Sequence, residues 1–345
     1  MYLAFTVVFV LHHVTFEECL EAVRYQRAYA GFVQVLCKEW REACQKTVGE
    51  RLAVYTVDDV GGCQVELCTI GYAGDAKEIL KRIPNGFLYG FDQDERAVSY
   101  STDVLKKIGS NFKIFNTNFV NLEDTLDSEN ILLVDGIIFD LGFSSPQIDD
   151  EERGFSFMHD GPLDMRMSSS GKSAKDVIDN YSEEKLAEIF FKYGEEKLSK
   201  VIARGIKKSK NINTTLELVD VIKGSVGSNY FYKQHPERKI FQALRIEVND
   251  ELGVLESVLP VAIKHLKKGG RLSVITFHSL EDRIVKNIFK KYSEVDELVS
   301  GLKDIPKEYQ PLIKLVNKKP ILPSEEELLE NSRSRSAKLR IIERI

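Results

Sequence analysis

The stretch 134–147 restricts the fold of this chain more than any other part. Its first half is mainly apolar, and Asp140 and the polar sequence Ser144-Ser145-Pro146 follow it. A short apolar run bounded by turn-forming residues predicts a buried strand of a parallel sheet. Open α/β sheets bind ligands at the carboxyl ends of their strands. We therefore expect one ligand before Asp140 and a second over the Ser-Ser-Pro loop.

An earlier segment has the pattern of a nucleotide-binding unit. Residues 65–70 predict a strand, residues 71–75 contain two glycines, and residues 76–82 predict a helix. Glycines let the backbone approach a ligand, and the start of a helix offers free N–H groups. The two glycines fit an ordinary turn equally well, so both interpretations stay open at this point.

The next strand favours the nucleotide interpretation. Residues 87–91 predict a second strand that ends in Asp92, 21 residues after Gly71. A carboxylate about 20 residues after the glycine turn is typical of a group that binds ribose hydroxyls. A third strand is predicted at 112–115, and Phe119 beyond it fits either an adenine contact or a core aromatic. With residues 134–140 as the fourth strand, the pattern predicts a doubly wound parallel sheet.

The alternation then stops, and a helical insertion is predicted. A long loop at 149–167 precedes several helical stretches, so we expect residues 150–235 to form an inserted helical domain. Residues 65–149 and 236–345 are expected to form the sheet domain, and 1–64 a divergent N-terminal segment.

The remaining elements complete the predicted sheet domain. A long helix is predicted at 238–268, with a kink or a break at Pro260. The fifth strand follows at 271–277, and the tail 333–340 predicts a last strand with a basic face. After the fifth strand, Ser279 and Asp282 fit the N-cap and N3 positions of a helix.

Composition excludes several classes of protein. The net charge is −5, so a nucleic-acid partner needs a local basic face. No apolar run reaches the roughly 18 residues of a membrane span. Residues 1–11 are apolar but lack a basic start and a cleavage site, so no secretory signal is expected. The five cysteines include no C-x-x-C pair, so no metal site is expected. An odd number of cysteines in a chain with no predicted signal predicts reduced thiols in a cytoplasmic protein.

Several long motifs together identify a resemblance. From about Thr69 onward the chain resembles the bacterial 16S rRNA (cytosine-N4)-methyltransferase family, also called MraW or RsmH. The family's first glycine loop usually ends in Gly-Gly-His, where this chain has Ala73-Gly74-Asp75, and residues 24–66 differ from the family. The motifs that carry the resemblance are residues 140–147, 153–157, 160–167, 241–245, 277–283 and 333–336.

The resemblance implies a fold, a reaction and a set of site residues. The implied fold is a class I S-adenosylmethionine (SAM)-dependent methyltransferase with a Rossmann-like doubly wound sheet and an inserted helical domain. The implied reaction is methylation at N4 of cytidine 1402 in 16S rRNA of the small ribosomal subunit. The cofactor-binding residues implied or predicted are Ala73, Gly74, Asp75, Asp92, Phe119, Asp140 and Gln147. The candidate substrate contacts are Ser144, Ser145, Pro146, Arg166 and His278.

Methyl transfer to an exocyclic amine also needs specific groups near the amine. A hydrogen-bond acceptor on the amino group takes up its developing positive charge. Asp140 is the candidate catalytic acceptor; alternatively, it only positions SAM. The Ser144-Ser145-Pro146 loop is similar to the Ser/Asp-Pro-Pro-aromatic loop of amino-methylating DNA enzymes. It lacks the second proline and the aromatic, so Phe143, Phe155 or Phe157 is the candidate stacking face.

Two other functional classes remain open from the sequence. A nicotinamide-dependent oxidoreductase shares the glycine turn and the spacing to Asp92, although the third glycine is missing. A non-catalytic RNA-binding or ribosome assembly protein also fits, because the N-terminal segment is atypical. The expected partners are 16S rRNA and the small ribosomal subunit, with no membrane, and a homodimer is an open expectation.

Overall fold

The computed structural model describes residues 64–209, 211–296, 298–299 and 301–345. The predicted N-terminal segment 1–64 therefore lies outside the described residues except for its last residue. The chain forms two compact units. The first combines the described residues up to Gly142 with Glu256–Ile345, and the second is Phe143–Leu255.

A seven-stranded sheet of the described residues forms the first unit. Its strand order is β3-β2-β1-β4-β5-β7-β6. Neighbours among β1 to β5 pair in parallel, whereas β7 runs antiparallel to both β5 and β6. This order confirms the predicted doubly wound sheet, and the structure adds an antiparallel edge formed by β6 and β7. The strands are β1 Gln64–Leu67, β2 Phe87–Asp92, β3 Phe112–Asn116, β4 Val134–Asp140, β5 Leu266–Thr276, β6 Ile313–Leu315 and β7 Lys338–Arg344.

Helices connect the strands of the sheet and build the second unit. None of the helices in the described part of the chain has the length and apolar character needed to cross a membrane. The helices are α1 Gly74–Arg82, α2 Glu95–Leu105, α3 Leu122–Ser128, α4 Ser145–Asp149, α5 Ala174–Asn180, α6 Glu183–Lys192, α7 Ser199–Lys208, α8 Thr215–Val226, α9 Ser228–Gln234, α10 Pro236–Asn249, α11 Glu251–His265, α12 Ser279–Ser293 and α13 Glu325–Glu330.

Alternation along β1 places its apolar residues against α1. Val65 and Leu67 point to the same face of the sheet and are buried in a cluster with Ile79 and Leu80 of α1. Successive side chains of a strand point to opposite faces, so this pattern orients the strand. The chain then runs from the carboxyl end of β1 at Leu67 through a short turn into α1 at Gly74.

The second unit has its own apolar core and extends beyond the predicted insertion at both ends. It starts at Phe143 instead of 150 and ends at Leu255 instead of 235. The reason is α10, whose residues Ile240, Phe241 and Leu244 are buried in the helical core. A helix belongs to the unit that buries its apolar face.

The predicted helix 238–268 is two helices, and the break is not at Pro260. Helix α10 ends at Asn249, and Asp250 has a positive φ of 48° before α11 begins at Glu251. Asp tolerates the left-handed conformation better than most residues do. Pro260 instead lies inside α11.

The predicted strand 333–340 was too long at its start. Residues Ser332–Ser336 form a 3₁₀ turn, and β7 begins only at Lys338. The side chain of Asn331 accepts a hydrogen bond from the Arg333 N–H, and the Ser334 hydroxyl donates to the Asn331 carbonyl. Such local side-chain bonds compete with pairing in a sheet.

Candidate functional site

The turn between β1 and α1 is held from two sides. The Gly71 N–H donates to Oδ2 of Asp92 at 2.9 Å, and the Ser101 hydroxyl donates to the Gly71 carbonyl at 2.6 Å. Ala73, the residue before α1, has a positive φ of 61°. A left-handed conformation costs an L-residue about 1–2 kcal/mol, and such strain is common at ligand sites.

Asp92 ends β2 beside this turn, as predicted. Its Oδ1 accepts a hydrogen bond from the Asp94 N–H at 2.9 Å, so both oxygens accept from backbone amides. These bonds fix the orientation of the carboxylate. An ionised carboxylate at the end of a strand beside a glycine turn is typical of a group that binds ribose hydroxyls.

Asp140 ends β4 and is buried together with two other acidic residues. Its backbone N–H donates to the Thr69 hydroxyl at 2.9 Å, and its Oδ1 has no hydrogen-bond partner among the described residues. Burial raises the pKa of Asp140 well above its usual range, and the nearby carboxylates of Asp75 and Glu281 raise it further. Removal from water and like charges both oppose ionisation. A positively charged ligand group beside Asp140 would offset the electrostatic repulsion among these acidic groups.

Phe119 lies after β3 in a 3₁₀ turn and is half-buried. Its ring packs edge-on against Phe139 of β4, with the ring centroids 5.3 Å apart. Asn118 caps the turn by accepting a hydrogen bond from the Val120 N–H at 2.9 Å. The ring thus contributes to the core and retains an exposed part, which leaves both sequence interpretations of Phe119 in place.

His278, not Ser279, is the N-cap of α12, and the N3 residue is Glu281, not Asp282. Oε2 of Glu281 accepts from the Phe277 N–H at 2.8 Å, and its Oε1 lies 3.1 Å from Nε2 of His278. The extended backbone of His278, with φ at −141°, suits an N-cap. An imidazole nitrogen replaces the usual hydroxyl as the acceptor. The prediction from spacing was wrong because it relied on Ser and Asp, which are the commoner capping residues, whereas His278 and Glu281 form the capping box here.

The Ser144-Ser145-Pro146 loop forms the start of α4 in the second unit. Ser144 is the N-cap, and Pro146 follows within the first turn of the helix. Gln147 is buried, and its Oε1 accepts a hydrogen bond from the Ser144 N–H at 2.9 Å. Gln147 therefore stabilises the loop itself, and a contact with the cofactor stays a prediction for this residue.

Arg166 is engaged within the second unit. Its Nε and Nη2 atoms donate to the two oxygens of Asp164 at 2.8 and 2.7 Å, and Nη1 lies 3.3 Å from the Gly171 carbonyl. Such bidentate pairs are strong and fix the guanidinium plane. A substrate contact by Arg166 requires this pair to rearrange, and it too stays a prediction.

Some residues that build the site were not recognised in the sequence. Ser101 supports the glycine turn from α2, 30 positions away, and no spacing rule links the two. Glu281 lies in the motif 277–283, but its proximity to Asp140 depends on the strand order. A capping box that starts at His278 would have indicated Glu281, but the cap was predicted from the sequence at Ser279 and Asp282.

Residues 48–345 match the MraW methylase family. Ribosomal RNA small subunit methyltransferase H of Limosilactobacillus fermentum is 48% identical over 284 residues, which cover 80% of this chain and 90% of the relative. The protein of the same name from Mesoplasma florum is 49% identical over 282 residues, which cover 80% and 91%.

Solved structures give much weaker similarity. An rRNA methylase from Streptococcus thermophilus is 12% identical, with a TM-score of 0.36, over 83% of this chain and 88% of that chain. A score this low supports no argument. The family match and the two relatives each cover most of the chain. The chain therefore belongs to the MraW methylase family of S-adenosylmethionine-dependent methyltransferases.

Proposed function

We propose that this protein methylates N4 of a cytidine in small-subunit rRNA, with position 1402 of 16S rRNA as the expected target. The observation that carries the proposal is the identity of 48–49% with ribosomal RNA small subunit methyltransferases H over four-fifths of the chain. The family membership sets aside a nicotinamide-dependent oxidoreductase. As an rRNA-modifying enzyme, the protein is expected in the cytoplasm.

The carboxyl ends of β1, β2 and β4 are the proposed cofactor site. SAM supplies a methyl group on a positively charged sulfur, and it also carries an ammonium group. The buried Oδ1 of Asp140, together with the neighbouring carboxylates of Asp75 and Glu281, fits a cationic ligand. Asp92 is suited to the ribose hydroxyls, and Phe119 to the adenine. The residues proposed to hold the cofactor are Ala73, Gly74, Asp75, Asp92, Phe119, Asp140 and Gln147.

Asp140 is also the proposed hydrogen-bond acceptor for the target amine. The lone pair of cytosine N4 is conjugated with the ring, so the amine is a poor nucleophile. A carboxylate that accepts a hydrogen bond from this amine stabilises its developing positive charge and can take its proton. The raised pKa of Asp140 opposes this role when the site holds no cation. Positive charge in the site lowers that pKa and restores the carboxylate.

The substrate side of the proposal concerns the second unit and α12. Ser144, Ser145 and Pro146 are proposed to contact the cytosine, and the helical unit to recognise the RNA. Arg166 and His278 complete the set, although each already lies beside a carboxylate partner. An RNA contact by either side chain therefore exchanges one electrostatic partner for another. A homodimer remains part of the proposal.

Methyl transfer to ribosomal particles tests the proposed function directly. The purified chain is incubated with SAM labelled in its methyl group and with small subunits that lack the modification. We expect label in the rRNA, recovered as N4-methylated cytidine after digestion and mass spectrometry of the nucleosides.

Calorimetric titration with SAM accompanies the transfer assay. Absence of label with SAM binding intact would overturn the proposal in favour of a non-catalytic RNA-binding or assembly protein. Label on another base atom would overturn the N4 assignment alone. Digestion and mapping of the labelled fragment test position 1402 separately.

A further inference from the structure

The ring of Phe143 is held inside the helical unit by two neighbours. The guanidinium carbon of Arg245 lies 4.4 Å from the ring centroid of Phe143. The ring of Phe155 stacks on Phe143 with a centroid separation of 5.3 Å and an interplanar angle of 10°. Arg153 lies over Phe155 at 5.9 Å. We call these four residues the Arg-Phe stack.

Glu251 fixes the guanidinium that contacts Phe143. Nε and Nη2 of Arg245 donate to Oε1 and Oε2 of Glu251 at 2.8 and 2.9 Å. The side chains are only 12% and 9% exposed, so water screens the pair weakly. A bidentate pair sets the plane of the guanidinium as well as its position. The turn at Asp250 brings Glu251 to Arg245.

The same helix also secures the other end of the stack. Asn249, one turn beyond Arg245 on α10, accepts a hydrogen bond from the Met167 N–H and donates to the Met165 carbonyl, both at 2.8 Å. Nη2 of Arg153 donates to the Met167 carbonyl at 3.1 Å. Helix α10 thus connects both arginines of the stack to one rigid element.

Phe143 directly precedes the loop that carries the proposed substrate contacts. On its other side is Gly142, whose φ of 97° belongs to a conformation that favours glycine. The chain therefore enters the loop through a backbone conformation that favours glycine, and the Phe143 ring follows directly after it. Because Phe143 and Phe155 already stack on each other, their shared faces hold the loop and are not a platform for the cytosine.

We propose that Arg245 is a positioning residue that fixes the backbone of Ser144-Ser145-Pro146 through the Phe143 ring. The inference rests on the proposed function, in which this loop binds the target cytosine. Arg245 acts through Phe143 and Glu251. A displacement of about 1 Å can reduce a rate by roughly 100-fold, so a loosened loop should slow transfer without weakening cofactor binding.

Three variants of the full chain test the proposal. Arg245→Ala removes the contact with Phe143 and the ion pair, Arg245→Lys keeps a cation but loses the bidentate geometry, and Glu251→Gln weakens the ion pair while Arg245 stays in place. We expect Arg245→Ala to lower kcat for methylation of small subunits about 10–100-fold, with Kd for SAM within about twofold of wild type. Arg245→Lys should recover part of kcat. Hydrogen exchange of the amides at 143–149 should be faster in Arg245→Lys than in wild type, and faster still in Arg245→Ala.

Arg204→Ala is the matched control. It removes an Arg–Glu ion pair of the same unit, with Glu183, and its side chain is 59% exposed. This variant should leave kcat and the exchange at 143–149 unchanged. An Arg245→Ala enzyme with wild-type kcat, or with wild-type exchange in the loop, would overturn the proposal.

A variant that does not fold and a wild-type chain without activity lead to different conclusions. If Arg245→Ala does not fold, unchanged kcat in both Arg245→Lys and Glu251→Gln would overturn the proposal. If the wild-type chain methylates nothing, the proposed function fails, and the exchange measurement alone decides whether Arg245 fixes the loop.

Discussion

The Asp92 carboxylate accepts a hydrogen bond from the backbone N–H of Gly71 at 2.9 Å, which joins the end of β2 to the turn after β1. This contact joins two features of the predicted site, the glycine turn after β1 and the carboxylate at the end of β2. A second bond, from the Asp94 N–H, holds the other oxygen. The carboxylate is therefore oriented before a ligand binds, and preorganisation of this kind reduces the cost of binding.

Substitution of Asp92 should weaken cofactor binding. Hydrogen bonds to charged groups contribute about 1.5–3 kcal/mol, so we expect Asp92→Ala to raise Kd for SAM at least about tenfold. Calorimetry measures this change. The control is Asp103→Asn, which alters an exposed acidic residue of α2 and should leave Kd unchanged. An unaltered affinity in Asp92→Ala would reject the ribose assignment.

Substitution of Asp140 distinguishes catalysis from positioning. If Asp140 is the acceptor for the amine, the variant Asp140→Asn should reduce kcat about 10²–10⁴-fold and leave KM for SAM nearly unchanged. If Asp140 only contacts the cofactor, the same variant should mainly raise KM for SAM. Asp135→Asn, at the other end of β4, is the control. Steady-state kinetics with both substrates varied separate the two roles.

The pH profile of the wild-type enzyme should reflect the raised pKa of Asp140. Burial and the carboxylates of Asp75 and Glu281 keep the free acid protonated at higher pH than usual. Because the acceptor must be ionised, kcat/KM should rise with pH until this group has lost its proton. The rising limb should be absent in Asp140→Asn. A profile that is identical in the two enzymes would contradict the proton-acceptor role.

Glu66 should make the stability of the fold depend on pH. It is fully buried in β1, and burial raises its pKa from 4.5 to about 8. Between these values the folded state holds a proton that the unfolded state has released. The free energy of unfolding should therefore fall as the pH rises from about 4.5 to about 8, by at most about 1.4 kcal/mol per pH unit.

Urea unfolding across this pH range tests the Glu66 prediction. Glu66→Gln cannot ionise, so its free energy of unfolding should lose most of this slope. Glu123→Gln, an exposed change on α3, should keep the wild-type slope. Equal slopes for wild type and Glu66→Gln would show that Glu66 does not titrate as expected.

Asp282 should stabilise the contact between α12 and β7. Its oxygens accept from Nε and Nη2 of Arg340 at 2.7 and 3.2 Å, and from Lys338 at 3.4 Å. Burial alone would raise the pKa of Asp282, but its bonds to Arg340 and Lys338 lower it overall. This stabilisation should be present above the ordinary Asp pKa and lost as pH falls through the lowered folded value.

Asp282→Asn should therefore lower the free energy of unfolding by about 1–3 kcal/mol at pH 7. The difference from wild type should shrink at acid pH, once the pH has fallen through the lowered folded pKa and the wild-type carboxyl gains a proton. Denaturant unfolding at both pH values measures it. A difference that is constant with pH would assign the loss to packing instead of charge.

The long motifs were sufficient to predict the family and the fold class, and both predictions are confirmed. Element types were mostly right because apolar periodicity and capping residues act over a few positions. Thr214 and Ser182, for example, cap α8 and α6 through hydrogen bonds from N–H groups three residues later. Errors fell where two local patterns compete, as at the His278 cap and at the 3₁₀ turn Ser332–Ser336.

The sequence by itself determined which strands end in a carboxylate, because strand, turn and acidic residue are neighbours in the chain. Asp92 and Asp140 were predicted on this basis, and each ends its strand. Only the tertiary structure decided the charge environment of Asp140, because its pKa depends on burial and on Asp75 and Glu281. Strand order, which a local pattern does not encode, brings these side chains together. The same holds for Arg245 and Phe143, which are distant in sequence and meet only when α10 packs in the helical core.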